Sequence, residues 1–155
     1  MINQQIYLAL YRGRRDGTGL KVWLARFSDW LTRVLTKGQY SHCEIAMKLP
    51  ETAEYECYSA SLRDGGVRVK TMPLPETKWD LIALPDDVGG RLETLWAETQ
   101  GQGYDLPGAF GVVFGLPENR RRWFCSEWVG AALGLSESWR FSPNDLAAIF
   151  RREGR

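Results

Sequence analysis

The residues best suited to chemistry are Cys125 and His42, the only histidine of the chain. Cys125 lies at the start of an apolar, helix-patterned run (residues 123–133), directly after three arginines at 120–122. A helix N-terminus carries a partial positive charge and unpaired backbone N–H groups, and nearby cations add to this field, so the thiol pKa falls and the thiolate is favoured. We predict that His42 meets Cys125 in space as the general base of a cysteine nucleophile. The first amides of the helix, at Cys125 and Ser126, would then stabilise an oxyanion.

The segment around His42 is predicted to be a strand. Because side chains alternate along a strand, His42 and Glu44 share one face, whereas Cys43 and Ile45 share the other. His42 and Cys43 therefore cannot converge on one ion, and the chain has no Cys-x-x-Cys pair, so we predict no metal site and no cofactor. Cys43 and Cys57 are interpreted as small core residues that could face each other across a hairpin.

Hydrophobic periodicity predicts an α+β fold in which a strand and a helix precede an antiparallel meander, followed by further helices. The predicted strands are 6–11, 40–48, 53–61, 67–70 and 79–84, and the predicted helices are 20–35, 88–100, 125–133 and 143–150. The helix at 20–35 has an amphipathic pattern. The Gly-rich, apolar segment 104–116 is compatible with a short helix, and 117–122 is predicted to be a loop.

Length and composition indicate one domain with one core over residues 1–155. The net charge of +1 argues against nucleic-acid binding, and the arginine clusters at 12–15, 120–122 and 151–155 are interpreted as solvated surface. No apolar run is long enough for an integral membrane segment. The first residues lack a signal-peptide pattern, and three cysteines are an odd number for a disulfide scaffold, so we predict a protein that is cytoplasmic as synthesised.

Two motifs together resemble a known family. Ser41-His42-Cys43-Glu44-Ile45 in a strand and Phe124-Cys125-Ser126-Glu127-Trp128-Val129 in a late helix resemble the permuted papain-like cysteine hydrolases of the YaeF/YiiX type, which are circularly permuted relatives of the NlpC-type peptidases. In ordinary papain-like enzymes the cysteine helix precedes the histidine strand, whereas here the histidine comes first. The resemblance implies a permuted papain-like fold, with an antiparallel sheet packed against helices and the catalytic cysteine at the N-terminus of a late helix.

Further matches extend the resemblance over roughly residues 6–148. Residues 58–61 with 65–68 look like the family's second and third core strands, and the element Ser142-Pro143-Asn144-Asp145-Leu146 matches a C-terminal Ser-Pro-x-Asp-Leu segment. Tyr104 looks like the family's tyrosine near the nucleophile. The family often places an acidic residue where this chain has Ser59, so either Ser59 or Glu44 would orient the imidazole. The chain looks most similar to small phage and prophage proteins.

The resemblance implies a cysteine hydrolase that cleaves an amide bond through an acyl-enzyme, with peptides or peptidoglycan stem peptides as natural substrates. Two alternatives stay open: a lipid acyl hydrolase or acyltransferase of the lecithin retinol acyltransferase type, and a catalytically silent binding protein of the same fold. Peptidoglycan would be reached through phage lysis, a tail particle or a secretion machine.

Overall fold

A sheet of seven strands forms the centre of the computed structural model, which describes residues 4–109 and 122–151. The strands are β1 (Ile6–Tyr11), β2 (His42–Lys48), β3 (Glu54–Ser61), β4 (Gly66–Pro73), β5 (Trp79–Ala83), β6 (Gly103–Tyr104) and β7 (Arg122–Trp123). The helices are α1 (Leu20–Leu35), α2 (Val88–Thr99), α3 (Cys125–Ala132) and α4 (Pro143–Arg151), with a 3-10 turn at Ser138–Arg140 and a helical turn at 106–109. The spatial order is β5-β1-β2-β3-β4-β6-β7, and neighbours are antiparallel except β6 and β7. The predicted α+β class is confirmed.

The two faces of the sheet bury separate apolar clusters. The face that packs against α3 carries Cys43 and Ile45 of β2, and this side holds the larger core. The opposite face carries a smaller cluster that includes Ala46 and Cys57. Ala46 pairs with Cys57 in the β2–β3 register, so Cys57 lies on the face opposite to Cys43. The expectation that the two cysteines could face each other is therefore wrong, although both are buried and free.

Helix α3 packs against the central strands β2 and β3 and contacts α2 and α4. Its Trp128 is fully buried, and the indole Nε1–H donates to Thr99 Oγ1 of α2 at 2.8 Å. This bond satisfies the one polar atom of a large core side chain, which a buried tryptophan requires. The first residue of α3, Cys125, is thereby held over β2.

Helix α1 is amphipathic as predicted, but its polar side faces the protein. Asp29 is its one buried residue, and the carboxylate accepts a bond from Arg15 Nε at 2.8 Å. Arg26 Nη2 donates to the carbonyl of Arg15 at 2.6 Å, and Arg33 Nη2 donates to the carbonyl of Gly13 at 2.8 Å. Much of the apolar side of α1 is exposed as a result.

The start of α4 is capped by the Ser-Pro-Asn-Asp segment. The backbone N–H of Ser142 donates to Asp145 Oδ2 at 2.8 Å, and the Asp145 N–H donates to Ser142 Oγ at 3.2 Å, a reciprocal cap. The Asn144 side chain accepts from the Tyr40 N–H at 3.0 Å and donates to the Tyr40 carbonyl at 2.9 Å. This segment thus ties α4 to the chain entering β2 and the histidine.

The observed elements differ from the predicted ones at several element ends and by short elements that were not predicted. Strand β4 continues to Pro73, beyond the predicted end at residue 70, and β2 begins at His42 rather than at residue 40. Strands β6 and β7 were not predicted, because each has only two residues and so shows no hydrophobic periodicity. The predicted short helix at 104–116 and loop at 117–122 lie largely outside the described residues. Within the described ranges, no helix is long and apolar enough to cross a membrane.

Candidate active site

The site forms where β2 and β3 separate. Their ladder runs from Lys48 paired with Tyr55 to Ile45 paired with Tyr58, and it does not continue toward His42. Ser59 Oγ donates to the Cys43 carbonyl at 2.7 Å and so satisfies a backbone acceptor at the point where the ladder ends. Extended by three residues, the register brings Ser61, and not the candidate Ser59, level with His42.

Cys125 is the first residue of α3 and is buried. The N-cap residue, Phe124, has an extended backbone and no side-chain acceptor, so its side chain cannot occupy the first amides of the helix. The Phe124 N–H donates to Glu127 Oε2 at 3.3 Å, so this cap uses the amide that precedes the helix. The Cys125 thiol therefore lies at the positive end of a helix dipole, among amides that can take an anion.

His42 and Cys125 meet, and each shifts the ionisation of the other. A hydrogen bond from the Cys43 thiol, together with the charge of His42 and its hydrogen bond, holds the pKa of Cys125 well below its usual range, although burial opposes this. Burial would lower the pKa of His42, but its interactions with Cys125 and Glu44 outweigh burial and raise that pKa to about 9. At pH values between the lowered pKa of Cys125 and the raised pKa of His42, the stable state is a thiolate beside an imidazolium.

Glu44 is the carboxylate that contacts the histidine. His42 Nε2 lies 2.8 Å from Glu44 Oε1, which leaves Nδ1 as the ring nitrogen available to Cys125. Arg68 holds Glu44 in turn through two bonds of 2.6 Å, one from each terminal guanidinium nitrogen to each carboxylate oxygen. Asp64 accepts from Arg68 Nε at 2.8 Å. The side chains of Glu44 and Arg68 are 1% and 16% exposed, so this chain of charges is shielded from water.

Both candidates for the orienting residue are thus located. Glu44 contacts the imidazole, whereas Ser59 bonds to the Cys43 carbonyl and does not reach the ring. Burial raises the pKa of Glu44, but its hydrogen bonds to Arg68 and then to His42 outweigh burial and leave that pKa lowered. Glu44 is therefore ionised at neutral pH, as an orienting carboxylate must be.

Tyr104 and Ser126 lie beside the nucleophile. Burial raises the pKa of Tyr104 well above its ordinary value, and the neighbouring thiols Cys125 and Cys43 raise it further. The phenol therefore stays protonated and can donate a hydrogen bond toward a substrate oxygen. Ser126 is buried as the second residue of α3, where its backbone amide belongs to the helix start.

Sequence reasoning missed the part that Cys43 and Arg68 play in the site. Cys43 was interpreted only as core, yet its thiol hydrogen-bonds to Cys125. Burial raises the pKa of Cys43 well above its usual value, and this hydrogen bond raises it further. The alternation of side chains along β2 predicted the face on which Cys43 lies, but only the packing of α3 on that face reveals the contact between Cys43 and Cys125. Arg68 could have been noticed, because a buried Glu44 requires a cation and Arg68 is on the same face two strands away.

Replacing Cys43 tests the contact between the two thiols. We expect Cys43→Ala to slow alkylation of Cys125 by iodoacetamide at pH 6.5 by about 3- to 10-fold, because the thiolate loses a hydrogen-bond donor. Cys43→Ser, which keeps a donor of similar size, should lose less. Rates are read by mass spectrometry of the Cys125 peptide, and equal rates in wild type and Cys43→Ala would contradict the assigned contact.

A cavity of about 580 Å³ opens beside the pair. His42, Cys125 and Tyr104 line it, together with residues from one side of α1. The wall is mixed in character: the apolar residues are Val22, Leu24, Ala25, Leu35, Leu62, Leu106 and Ala109, and the charged residues are Arg15, Asp16, Lys21, Asp29 and Arg63. A substrate of small-molecule size therefore has access to the thiolate.

The expectation that the neighbouring arginines lower the thiol pKa changes. Of the three arginines before Cys125, Arg120 and Arg121 lie outside the described residues, and Arg122 is exposed at β7. Hydrogen bonds from Cys43, with the charge and hydrogen bond of His42, account for the lowered pKa of the Cys125 thiol without them. Phe124 and Trp128 are core residues, and the described part of the cavity wall includes neither.

Comparisons with known proteins found no match: no family model, no curated protein and no solved structure matches the chain. Within residues 4–109 and 122–151, no group of three His, Cys, Asp or Glu side chains is arranged to hold a metal ion. Function therefore has to be inferred from the geometry and charges of the site itself.

Proposed function

We propose that the protein is a cysteine hydrolase that cleaves an amide bond through an acyl-enzyme on Cys125. The observation that carries the proposal is the continuous chain Cys125–His42–Glu44, in which a thiolate at a helix start faces an imidazolium held by a buried carboxylate. A thiol with a lowered pKa, a specific charge partner and an adjoining cavity together form the pattern that marks a functional site.

The mechanism follows from the charges of the pair. The Cys125 thiolate attacks the carbonyl carbon, the C–S bond forms, and the carbonyl electron pair moves onto oxygen. The amides at Cys125 and Ser126, with the Tyr104 hydroxyl, would stabilise this oxyanion. As the intermediate collapses, the C–N bond breaks and the His42 imidazolium gives its proton to the leaving nitrogen.

The second half-reaction restores the enzyme. Neutral His42 takes a proton from water as the water oxygen attacks the acyl carbon. The C–S bond then breaks, its electron pair returns to Cys125 as thiolate, and the carboxylic acid leaves. Glu44 stays ionised throughout, since Arg68 neutralises it, and its role is to hold the imidazole in position.

The permuted papain-like fold of the YaeF/YiiX type is part of the proposal. It is supported by the chain order, with His42 on β2 before Cys125 at the start of α3, by the antiparallel strands β1 to β4, and by the position of Tyr104 beside the nucleophile. Under this proposal peptides or peptidoglycan stem peptides are the substrates, in a phage or prophage setting. Lysis, a tail particle or a secretion machine would bring the protein to the cell wall.

A lipid acyl hydrolase or acyltransferase is the second candidate. The observation that favours it is the cavity mouth, where the apolar side chains Leu24, Leu62 and Leu106 are exposed while also lining the cavity. An aliphatic chain could lie along them with its carbonyl at Cys125. The covalent chemistry is unchanged, because the same acyl-enzyme forms with an ester oxygen as leaving group.

Acyl-enzyme capture tests the proposal and separates the substrates. The protein is incubated with stem peptides and, separately, with phospholipid and thioesters, then acid-quenched and analysed by intact and peptide mass spectrometry. We expect an acyl mass on the Cys125 peptide, and its absence in Cys125→Ala. Cys57→Ala is the matched control, because Cys57 is buried on the opposite face and should leave the adduct unchanged. An adduct from stem peptides alone supports amide hydrolysis, whereas an adduct from lipid esters alone supports the second candidate.

The same experiment, with a pH titration of Cys125, has an outcome that would contradict the catalytic proposal. If no substrate class acylates Cys125, and Cys125 titrates as an ordinary thiol, the catalytic proposal fails. A silent binding protein of the same fold would then be the better description.

A further inference from the structure

Helix α1 presents a stripe of aromatic side chains to solvent. Trp23, Phe27 and Trp30 are 60%, 47% and 57% exposed. Trp23 stacks on Phe27 with ring centroids 6.0 Å apart, and Phe27 contacts Trp30 at 5.8 Å. The flanking apolar residues Leu20, Leu24 and Val34 are also exposed. Contiguous exposed apolar surface of this kind marks an interaction site more often than a monomer's free surface.

The outward orientation of this stripe is fixed by the polar side of the helix. Asp29 is buried against Arg15, and Arg26 and Arg33 bond to carbonyls of the preceding loop. Turning the stripe inward would break these bonds and leave the Asp29 carboxylate without its cation. The exposed aromatic side is therefore the stable arrangement of α1.

Exposed cations lie near both ends of α1. Arg14 and Lys21 are near its start, and Lys37 follows its end. The exposed Arg63 lines the same cavity as Leu24. Tryptophan, phenylalanine and leucine on one side of a helix, with Lys and Arg around them, is the composition of helices that lie in the headgroup region of a bilayer. The overall charge of +1 hides this local concentration.

A second copy of the chain is the less suitable partner. A helix of 16 residues is about 24 Å long and about 10 Å wide, so one side offers only a few hundred Å². A standard protein interface needs roughly 800 Å² from each partner. A bilayer needs no matching partner surface, and anionic headgroups complement the flanking cations.

We propose that α1 binds the surface of an anionic lipid bilayer, with Trp23, Phe27 and Trp30 inserted at the level of the headgroups. Leu24 flanks the stripe and also lines the cavity, so binding brings the mouth of the cavity to the lipid surface. The proposal does not rest on the hydrolase activity, because binding needs no turnover and is measured with non-hydrolysable ether lipids.

Vesicle co-sedimentation tests this. Vesicles of ether-linked phosphatidylcholine with phosphatidylglycerol should bind the full chain, more tightly than phosphatidylcholine alone, and added salt should weaken the binding. We expect the triple variant Trp23→Ser, Phe27→Ser, Trp30→Ser to bind at least about ten-fold more weakly, because each substitution removes apolar area that would be buried in the bilayer. Val69→Ser, an exposed apolar residue of β4, is the matched control and should bind as wild type does.

Fluorescence with brominated acyl chains locates the contact. Tryptophan emission of wild type should be quenched, whereas Trp23→Leu with Trp30→Leu should still bind but lose most of the quenching. The proposal is overturned if wild type does not bind anionic vesicles, or if the triple serine variant binds equally well. A wild-type dimer in analytical ultracentrifugation that the serine variant dissociates, without vesicle binding, would assign the stripe to a second copy instead.

Discussion

Replacing His42 with alanine is expected to slow alkylation of Cys125 by iodoacetamide at pH 6.5 by up to about 100-fold. A free thiol with a pKa near 8.5 is only about 1% ionised at that pH, whereas the Cys125–His42 pair keeps the wild-type thiol ionised. The hydrogen bond from Cys43 is the largest single contribution to the low thiol pKa, but His42 adds both a charge and a hydrogen bond. Mass spectrometry resolves the Cys125 peptide from those of Cys43 and Cys57.

The alkylation rate should fall in acid, and the turnover rate should fall in base. Because the pKa of Cys125 is lowered, its alkylation rate should fall only at pH values well below those at which a free thiol is protonated. Because the pKa of His42 is raised to about 9, turnover should decline as the pH rises through about 9, where the imidazolium loses the proton meant for the leaving group.

His42→Gln is the control for the alanine variant. It keeps a hydrogen-bond donor but no charge, so a partial recovery of the alkylation rate would apportion the effect between hydrogen bonding and charge. An alkylation profile that is identical in wild type, His42→Ala and His42→Gln would show that the two residues do not interact, and the dyad would have no basis.

The pairing of Cys125 with His42 was accessible to sequence reasoning because the chain has one histidine and one cysteine at a predicted helix start. Alternation also gave the shared face of His42 and Glu44 correctly. The choice between Glu44 and Ser59 was not accessible, since it depends on where the β2–β3 ladder ends. A register is a property of the folded sheet, and the turn at residues 49–53 could not fix it.

The orientation of α1 illustrates a second limit. The sequence pattern shows that one side of this helix is apolar, and burial of that side is the usual outcome. In this structure the apolar side of α1 is exposed, because contacts with the preceding loop hold the polar side against the protein. These contacts are Arg15 with Asp29 and Arg33 with the Gly13 carbonyl, and they depend on the geometry of that loop. Hydrophobic periodicity predicts that a helix has an apolar side and a polar side, but it does not predict which of the two packs against the rest of the protein.

Arg68→Met is expected to destabilise the protein by about 3–5 kcal/mol at pH 7, the usual cost of leaving one member of a buried ion pair without its partner. Methionine fills a similar volume, so the loss reports charge rather than a cavity. It is measured as the free energy of unfolding in urea. Arg140→Met is the matched surface control, because both members of the Arg140–Glu137 pair are more than half exposed, and it should cost less than about 1 kcal/mol.

The pH dependence separates this electrostatic effect from simple damage to packing. The folded-state pKa of Glu44 is lowered, so its contribution to stability is present above the unfolded pKa and is lost as the pH falls through the folded pKa. The deficit of Arg68→Met should therefore be largest near neutral pH and shrink in acid, where Glu44 is protonated. Adding Glu44→Gln to Arg68→Met should recover part of the lost stability, since no buried charge remains unpaired. A deficit that is independent of pH and additive in the double variant would mean that Arg68 acts through packing, and Glu44 would then owe neither its ionisation nor its hold on His42 to this arginine.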